Sequence, residues 1–244
     1  MSEKLQKVLA RAGFGSRREI EGWIIRGRIK VNGKIAIIGD RVEDMDKILV
    51  DGKKLTSQKQ NKRSRRVLLY NKPESEICTR KDPEGRLTVF DRLPSLKHGR
   101  WVSIGRLDIN TSGLLLFTTD GELANQLAHP SSMIEREYAV RVMGEVTPIM
   151  VQSMHDGVII DDHLCRFTDI QFYGGEGINQ WYHVVTIEGR NREVRKLWES
   201  QGLKVNRLKR VRFGSIFIPS TVRKGQFVEL SKNEIDKLIR LVKA

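Results

Sequence analysis

The segment Ser57–Arg66, SQKQNKRSRR, contains no apolar residue and five Lys or Arg side chains. Such a stretch buries nothing that would offset the entropy of ordering it, so it reads as a flexible basic linker. Each side of it must then build its own core. At 244 residues the chain is long enough for two, and the expected division is 1–60, a linker at 61–66, and 67–244. Charge divides the same way. Residues 1–66 hold 18 Lys and Arg against 8 Asp and Glu, a net of +10, whereas the remaining 178 hold 26 against 22, a net of +4. A compact electropositive module attracts polyanions, because each cation that neutralises a phosphate releases a counterion.

The first part has the periodicity of a folded unit. Leu5, Val8, Leu9 and Ala12 recur at helical spacing and Gly13 is a stop. Ser16 with Glu19 predicts a capping box ahead of Ile20, Trp23 and Ile24, and Gly27 ends that helix. Short strands follow at Ile29–Val31, Lys34–Ile37 and Ile48–Val50, with turns at Asn32-Gly33 and Asp51-Gly52. The exposed helix face is expected to display Lys7, Arg11, Arg17, Arg18, Arg26 and Arg28.

Beyond the linker, strands are predicted at Arg66–Tyr70, Trp101–Ile104, Leu114–Thr119, Glu137–Val142, Phe167–Phe172, Trp181–Glu188, Lys204–Val211 and Gln226–Leu230. Helices are predicted at Gly121–Ala128, Pro148–His155, Arg192–Gln201 and Asn233–Val242, the last behind a Ser231/Glu234 capping box and the first capped by Asp120. Strands outnumber helices and often follow one another. The expected class is therefore α+β, a small αβ unit plus a larger domain on a mixed, mainly antiparallel sheet.

Exclusions narrow the function. No apolar run approaches the ~20 residues of a membrane helix, and Glu3 interrupts the N-terminus where a secretion signal needs an apolar stretch. A soluble, cytoplasmic, monomeric protein is expected. Cys78 and Cys165 form neither a disulfide framework nor a metal cluster, and the five histidines lack ligand spacing. No metal is expected. Without a P-loop, a G-x-G-x-x-G, an H-E-x-x-H or a G-x-S-x-G, neither is a cofactor.

Two stretches remain. Gly105-Arg106-Leu107-Asp108-Ile109-Asn110-Thr111-Ser112-Gly113 sets a cation and a carboxylate two residues apart between apolar strands. On spacing alone it reads better as an ordinary turn, since Asp and Asn bond their own backbone. Glu188–Trp198, EGRNREVRKLW, turns on a glycine into a helix rich in cations, either an anion site or a solvated face above Val194, Leu197 and Trp198.

These stretches, GRLDINTSGLLLFTTDGELANQLAHP (105–130) and EGRNREVRKLW (188–198), with EREYAVRV (135–142) between them, closely resemble the bacterial rRNA pseudouridine synthases of the small-subunit-A type. Residues 71–94 and 174–184 draw the likeness toward members acting on large-subunit (23S) rRNA. KLQKVLARAGFGSRREIEGWIIRGRIKVNGK resembles the RNA-binding domain named after ribosomal protein S-four.

The resemblance implies an isomerase that breaks the N1–C1′ bond of a uridine, turns the uracil and joins C5 to C1′. It implies Asp108 as the essential carboxylate, acting as a nucleophile on C1′ or C6 or as a base at the 2′ position. It further implies Arg195 as the cation favouring the ionised carboxylate, Tyr138 stacking on the target base, and Leu197 lining the base pocket. Arg106 would fill the RNA stack that the flipped nucleotide leaves. The implied partner is 23S rRNA or the pre-ribosomal large subunit, with no cofactor. Alternatives are the same reaction on small-subunit rRNA or tRNA, or a non-catalytic RNA-binding assembly factor.

Overall fold

The computed structural model describes residues 2–54, 65–97 and 99–242. The expected linker at 61–66 lies mostly outside the described residues. The chain forms two compact units, one of Met1–Arg65 with Ser95–Trp101, the other of Arg66–Pro94 with Val102–Ala244.

In the first unit, helix α1 (Leu5–Ala12) stops at Gly13, whose φ of 94° suits a residue without a Cβ. Helix α2 (Arg17–Ile25) has the predicted capping box: Ser16 Oγ accepts from Glu19 N–H at 3.1 Å and the Glu19 carboxylate accepts from Ser16 N–H at 2.7 Å. Leu5, Leu9, Ile20 and Ile24 are buried with Ile29, Val42, Ile48 and Val50 in one core. Beneath the helices lies an antiparallel sheet in the order Lys34–Ile35, Ile29–Val31, Ile48–Val50, Lys53–Lys54. The strand expected to reach Ile37 ends at Ile35 because the Asp40 carboxylate takes Ile37 N–H at 2.9 Å and turns the chain. Nothing in the sequence separates 95–101 from its neighbours. The grouping with α1 comes from a close backbone approach, in which a Cβ on Gly13 would lie 3.0 Å from Gly99 N.

The second unit is built on a nine-stranded mixed sheet. Its main path runs Asp169–Glu176, Asn179–Thr186, Arg136–Met143, Lys204–Phe213, Ser112–Thr118, Val67–Lys72, Phe227–Glu229. Val102–Ile104 pairs with Ser112–Thr118, and Ile216–Phe217 with Lys204–Phe213. Every pairing is antiparallel except Lys204–Phe213 with Ser112–Thr118. Val67–Lys72 and Ser112–Thr118 are buried along their whole length, as expected of strands covered on both faces. Helices α3 (Gly121–Ala128) and α6 (Lys232–Arg240) supply Leu123, Leu127, Ile235 and Leu238 to the core over that half. Their caps are the predicted ones, Asp120 accepting from Glu122 and Leu123 N–H, and Ser231 with Glu234. Helix α4 (Pro148–Asp156) is capped by Thr147. Helix α5 (Glu193–Ser200) covers the other half of the sheet, where the Trp198 ring lies 5.1 Å from Tyr182 and 6.1 Å from Phe167.

Several boundaries differ from the sequence reading. The strand expected at Phe167–Phe172 runs Asp169–Glu176, because Phe167 turns into the core with its N–H on Met154 O, and a bulge near Gly174 carries the pairing onward. Its partner begins at Asn179 and ends at Thr186 rather than Glu188. A short hairpin, Val158–Ile160 with His163–Cys165, was not expected. Asp161 and Asp162, both at positive φ, form its two-residue turn. Among the described residues no helix is long and apolar enough to cross a membrane.

Candidate active site

The 105–113 loop enters at Gly105 (φ 73°) and leaves at Gly113 (φ 101°). Gly113 sits where the two parallel strands meet. A Cβ there would fall 2.2 Å from Arg210 O, so only glycine fits. Two buried cations hold the loop by its carbonyls. Lys72, fully buried at the end of an apolar strand, donates from Nζ to the carbonyl oxygens of Asp108 (3.1 Å) and Thr111 (2.9 Å), and to Pro73 O and Ile109 O at 3.0 and 3.4 Å. Arg195, on the first turn of α5, donates to Asn110 O at 2.8 Å and to Val205 O at 3.0 Å. Leu107 N–H points at Cys78 Sγ, 3.4 Å away.

With its backbone fixed, the loop presents Asp108 and Arg106 to an open cavity of about 720 Å³. Tyr138 of the Arg136–Met143 strand, 7% exposed, lines the same space. Thr111, Leu208 and Val194 contribute to its walls, as do Cys78, Lys81 and Arg86 from the 77–86 segment. The 189–194 turn closes one side. It is organised by Glu193, whose buried carboxylate accepts from Gly189 N–H at 2.8 Å and Arg190 N–H at 3.1 Å. Burial pushes the Glu193 pKa up, against the pull of those bonds. Arg192, next to it, holds an αL conformation (φ 54°), uncommon for a residue with a side chain.

Among the described residues, no ion pair or hydrogen bond engages the Asp108 side-chain oxygens, while its backbone carbonyl is held twice, by Lys72 Nζ and by Thr111 N–H at 3.0 Å. That arrangement fixes where the carboxylate stands and leaves it free to react. Among the described residues Arg195 makes no ion pair with the Asp108 carboxylate; its guanidinium is taken by Asn110 O and Val205 O. It supports Asp108 through the loop carbonyl, and burial lowers its own pKa, with Arg192 adding to the lowering and the Asp108 charge opposing it. Burial likewise lowers the Lys72 pKa, opposed by the charges of Glu76, Glu74 and Asp108.

Arg106, Asp108 and Tyr138 are thus brought together. Leu197 is not among them. It is fully buried on the inner side of α5 and does not border the cavity. The basic positions also separate. Lys7 and Arg11 pair with Glu3, and Arg28 lies beyond α2, clamped by Asp51 at 2.8 Å with its guanidinium 4.8 Å from the Trp23 ring centre. Arg17, Arg18 and Arg26 are exposed and, among the described residues, form no ion pair.

Sequence reasoning missed Lys72 and Glu193. A lysine two residues beyond the apolar run Val67–Tyr70, ahead of Pro73, was the available signal for the first. It also missed two further buried cations. Arg136 donates to the carbonyls of Ile134 (2.7 Å) and Ile187, and Arg210 donates to Leu114 O at 2.7 Å.

Comparison with known proteins matches this architecture part by part. Residues 66–200 match the family described as RNA pseudouridylate synthase, and residues 3–48 match the S4 domain. A Pseudomonas aeruginosa protein named ribosomal large subunit pseudouridine synthase B is 60% identical over 239 residues, covering 98% of this chain and 62% of that protein. The chain therefore spans less than two thirds of that relative's length. The protein of the same name from Escherichia coli K12 is 57% identical, with 99% of this chain and 84% of that protein covered. Among solved structures, one titled crystal structure of pseudouridylate synthase superposes with a TM-score of 0.67 at 24% identity, covering 96% of this chain and 99% of that one, a likeness of fold. With the catalytic-domain match extending over more than half of its residues, the chain belongs to the RNA pseudouridylate synthase family.

Proposed function

We propose that this chain isomerises a specific uridine of large-subunit rRNA to pseudouridine, with Asp108 as the reacting carboxylate. The observation that carries this reading is the convergence of Asp108, Arg106 and Tyr138 on one cavity, with the Asp108 side chain unengaged. The N1–C1′ bond breaks and the freed uracil rotates. C5 then bonds to C1′, the C5 proton leaves, and N1 ends protonated. No atom is gained or lost. The carboxylate serves as a nucleophile at C1′ or C6, or as a base at the 2′ carbon.

Tyr138 offers a ring against which the base can stack, held in place by strand pairing on both sides of its backbone. Arg106, exposed at the cavity's edge, is placed to fill the gap left by the flipped nucleotide, where a guanidinium plane stacks and also meets phosphate. Arg195 and Lys72 act through the loop backbone. In the first unit, Arg17, Arg18 and Arg26 supply the charge for rRNA phosphates, with residues 1–60 acting as an RNA anchor. One chain holds every group invoked, which supports reading the protein as a monomer acting on rRNA in the cytoplasm. The preference for large-subunit rRNA rests on the relatives' names at 57–60% identity.

The test is to incubate the protein separately with unmodified large-subunit rRNA, small-subunit rRNA and tRNA, then map pseudouridine by carbodiimide labelling and primer extension. A single new stop in large-subunit rRNA is expected. A stop confined to either other RNA would overturn the substrate assignment.

A further inference from the structure

Successive side chains of a strand point to opposite faces, so the strand that aims Tyr138 into the cavity aims Ala139 and Arg141 out of its other side. On that outer face the pairing register lines up Trp181, Arg141 and Arg207 in one row, and Gln171, His183, Ala139 and Lys209 in the next. Tyr173, 74% exposed, stacks on His183 with ring centres 4.6 Å apart. The face is thus aromatic toward the Asp169–Glu176 edge and cationic toward Lys204–Phe213, with the small Ala139 between.

The cations there lack counter-charges. Arg141 and Arg207 are directly opposed across neighbouring strands, a pairing of like charges that destabilises a sheet. Among the described residues neither they nor Lys209 has an ion pair or a side-chain hydrogen bond, and Arg141 Nε is buried without a partner. The acids of the face are already engaged or stand at its margin. Glu137 is held by His183 and Arg212, each at 2.7 Å, Asp169 accepts from Gln171, and Glu176 stands at the hairpin end opposite Asn179.

We propose that this outer face binds an unpaired RNA strand, its bases stacking on Tyr173, His183 and Trp181 and its phosphates meeting Arg141, Arg207 and Lys209. A π-face beside a track of cations suits a nucleic acid strand of almost any sequence. An acidic peptide would satisfy the cations and leave the exposed ring stack unexplained. The bound segment is not the target nucleotide, which enters on the opposite face; it is a distant part of the same rRNA. The inference rests on the proposed RNA substrate and names where a second portion of it docks.

The test uses the full chain with Arg207→Glu, Arg141→Ala/Arg207→Ala and Tyr173→Ala. Affinity for large-subunit rRNA and for a labelled unstructured 12-nucleotide RNA is measured across a salt series, alongside turnover on the rRNA. The arginine variants are expected to weaken both affinities about 10-fold. The double alanine variant is also expected to lower the log–log salt slope by about 1.4, at ~0.7 per lost phosphate contact on single strands. Tyr173→Ala is expected to weaken binding about 5-fold or more with the slope unchanged. KM for rRNA should rise with kcat within about 2-fold of wild type. Arg207 and Tyr173 are exposed, so Arg207→Glu and Tyr173→Ala test the face without touching the core, and urea unfolding of the double variant checks that loss of the half-buried Arg141 leaves the fold intact. Wild-type affinity and slope in all three variants would overturn the proposal. Absence of pseudouridine with the wild-type protein would count against the proposed reaction alone, because affinity and slope are read without turnover.

Discussion

Lys72 Nζ lies 3.1 Å from the backbone carbonyl oxygen of Asp108, on a side chain fully excluded from solvent. The same ammonium reaches the carbonyl of Thr111, and Arg195 takes that of Asn110 between them. Consecutive peptide groups of the loop are thereby held from beneath, so that Asp108 presents its carboxylate upward without spending it on an internal contact.

Removing that grip should cost both stability and rate. Lys72→Met leaves buried carbonyl groups without a donor and is expected to lower the unfolding free energy by about 2–3 kcal/mol. Urea unfolding measures this directly. Where the variant remains folded, single-turnover rates should fall at least about 10-fold with rRNA affinity near wild type. An unchanged rate would show that the loop holds its shape without the lysine.

Arg195→Ala removes the donor to Asn110 O and Val205 O. The carboxylate loses its positional support and the nearby positive charge together. We expect kcat to drop about 10- to 100-fold, while KM moves little because Arg195 lies behind the loop. A rise in KM with kcat intact would instead place Arg195 in substrate binding.

Gly113 and Gly33 form a matched pair for testing the backbone of the site. Both have positive φ, but a Cβ on Gly113 strikes Arg210 O whereas one on Gly33 meets nothing within 4 Å. Gly33→Ala should cost about 1 kcal/mol. Gly113→Ala should cost at least about 3 kcal/mol and separate the parallel pairing of Lys209 and Arg210 with Ser112 and Gly113. Denaturant midpoints distinguish them, and equal losses would contradict the close approach at Gly113.

Glu137 provides a pH-dependent contribution. Burial raises its pKa, but Arg212 and His183 outweigh that and hold it below the usual carboxylate value. A lowered folded-state pKa means stability that is present above about pH 4.5 and lost as pH falls through the folded value. Glu137→Gln should therefore destabilise by about 1–2 kcal/mol at pH 7, with the gap narrowing toward pH 3. Urea midpoints at both pH values provide the check. A gap that widened in acid would have the wrong sign.

The basic module is tested by salt. Replacing Arg17, Arg18 and Arg26 with alanine should lower the log–log salt slope for rRNA binding by up to about 2–3, at ~0.7–0.9 per phosphate contact. The same changes at Lys7 and Arg11, already paired with Glu3, should lower it less. Equal slopes for both variants would remove the distinction.

Local signals made much of this structure legible from sequence. The Ser16/Glu19 and Ser231/Glu234 boxes, the Asp120 cap and the Asn32-Gly33 turn are short-range chemistry, written within four residues of where they act. The mixed sheet followed from consecutive β-patterned runs. Long-range partners were not written there. That Lys72 ends beneath residues 108–111 depends on the pairing of Val67–Lys72 with Ser112–Thr118, and no spacing in the sequence encodes that register. Leu197 shows the converse. Its motif suggested the base pocket, yet helical periodicity with Val194 and Trp198 had already marked it as core. The Asp161-Asp162 hairpin escaped notice because its strands are three residues each and carry no run of alternation.

The central claim is that Asp108 performs the chemistry while the surrounding cations bind and position. It is tested most directly by comparing wild type with Asp108→Asn on unmodified large-subunit rRNA, measuring pseudouridine formation and RNA affinity in the same samples. The account predicts a site-specific pseudouridine with the wild type, none with Asp108→Asn, and affinities that agree within a few-fold. Pseudouridine formed by Asp108→Asn would contradict it.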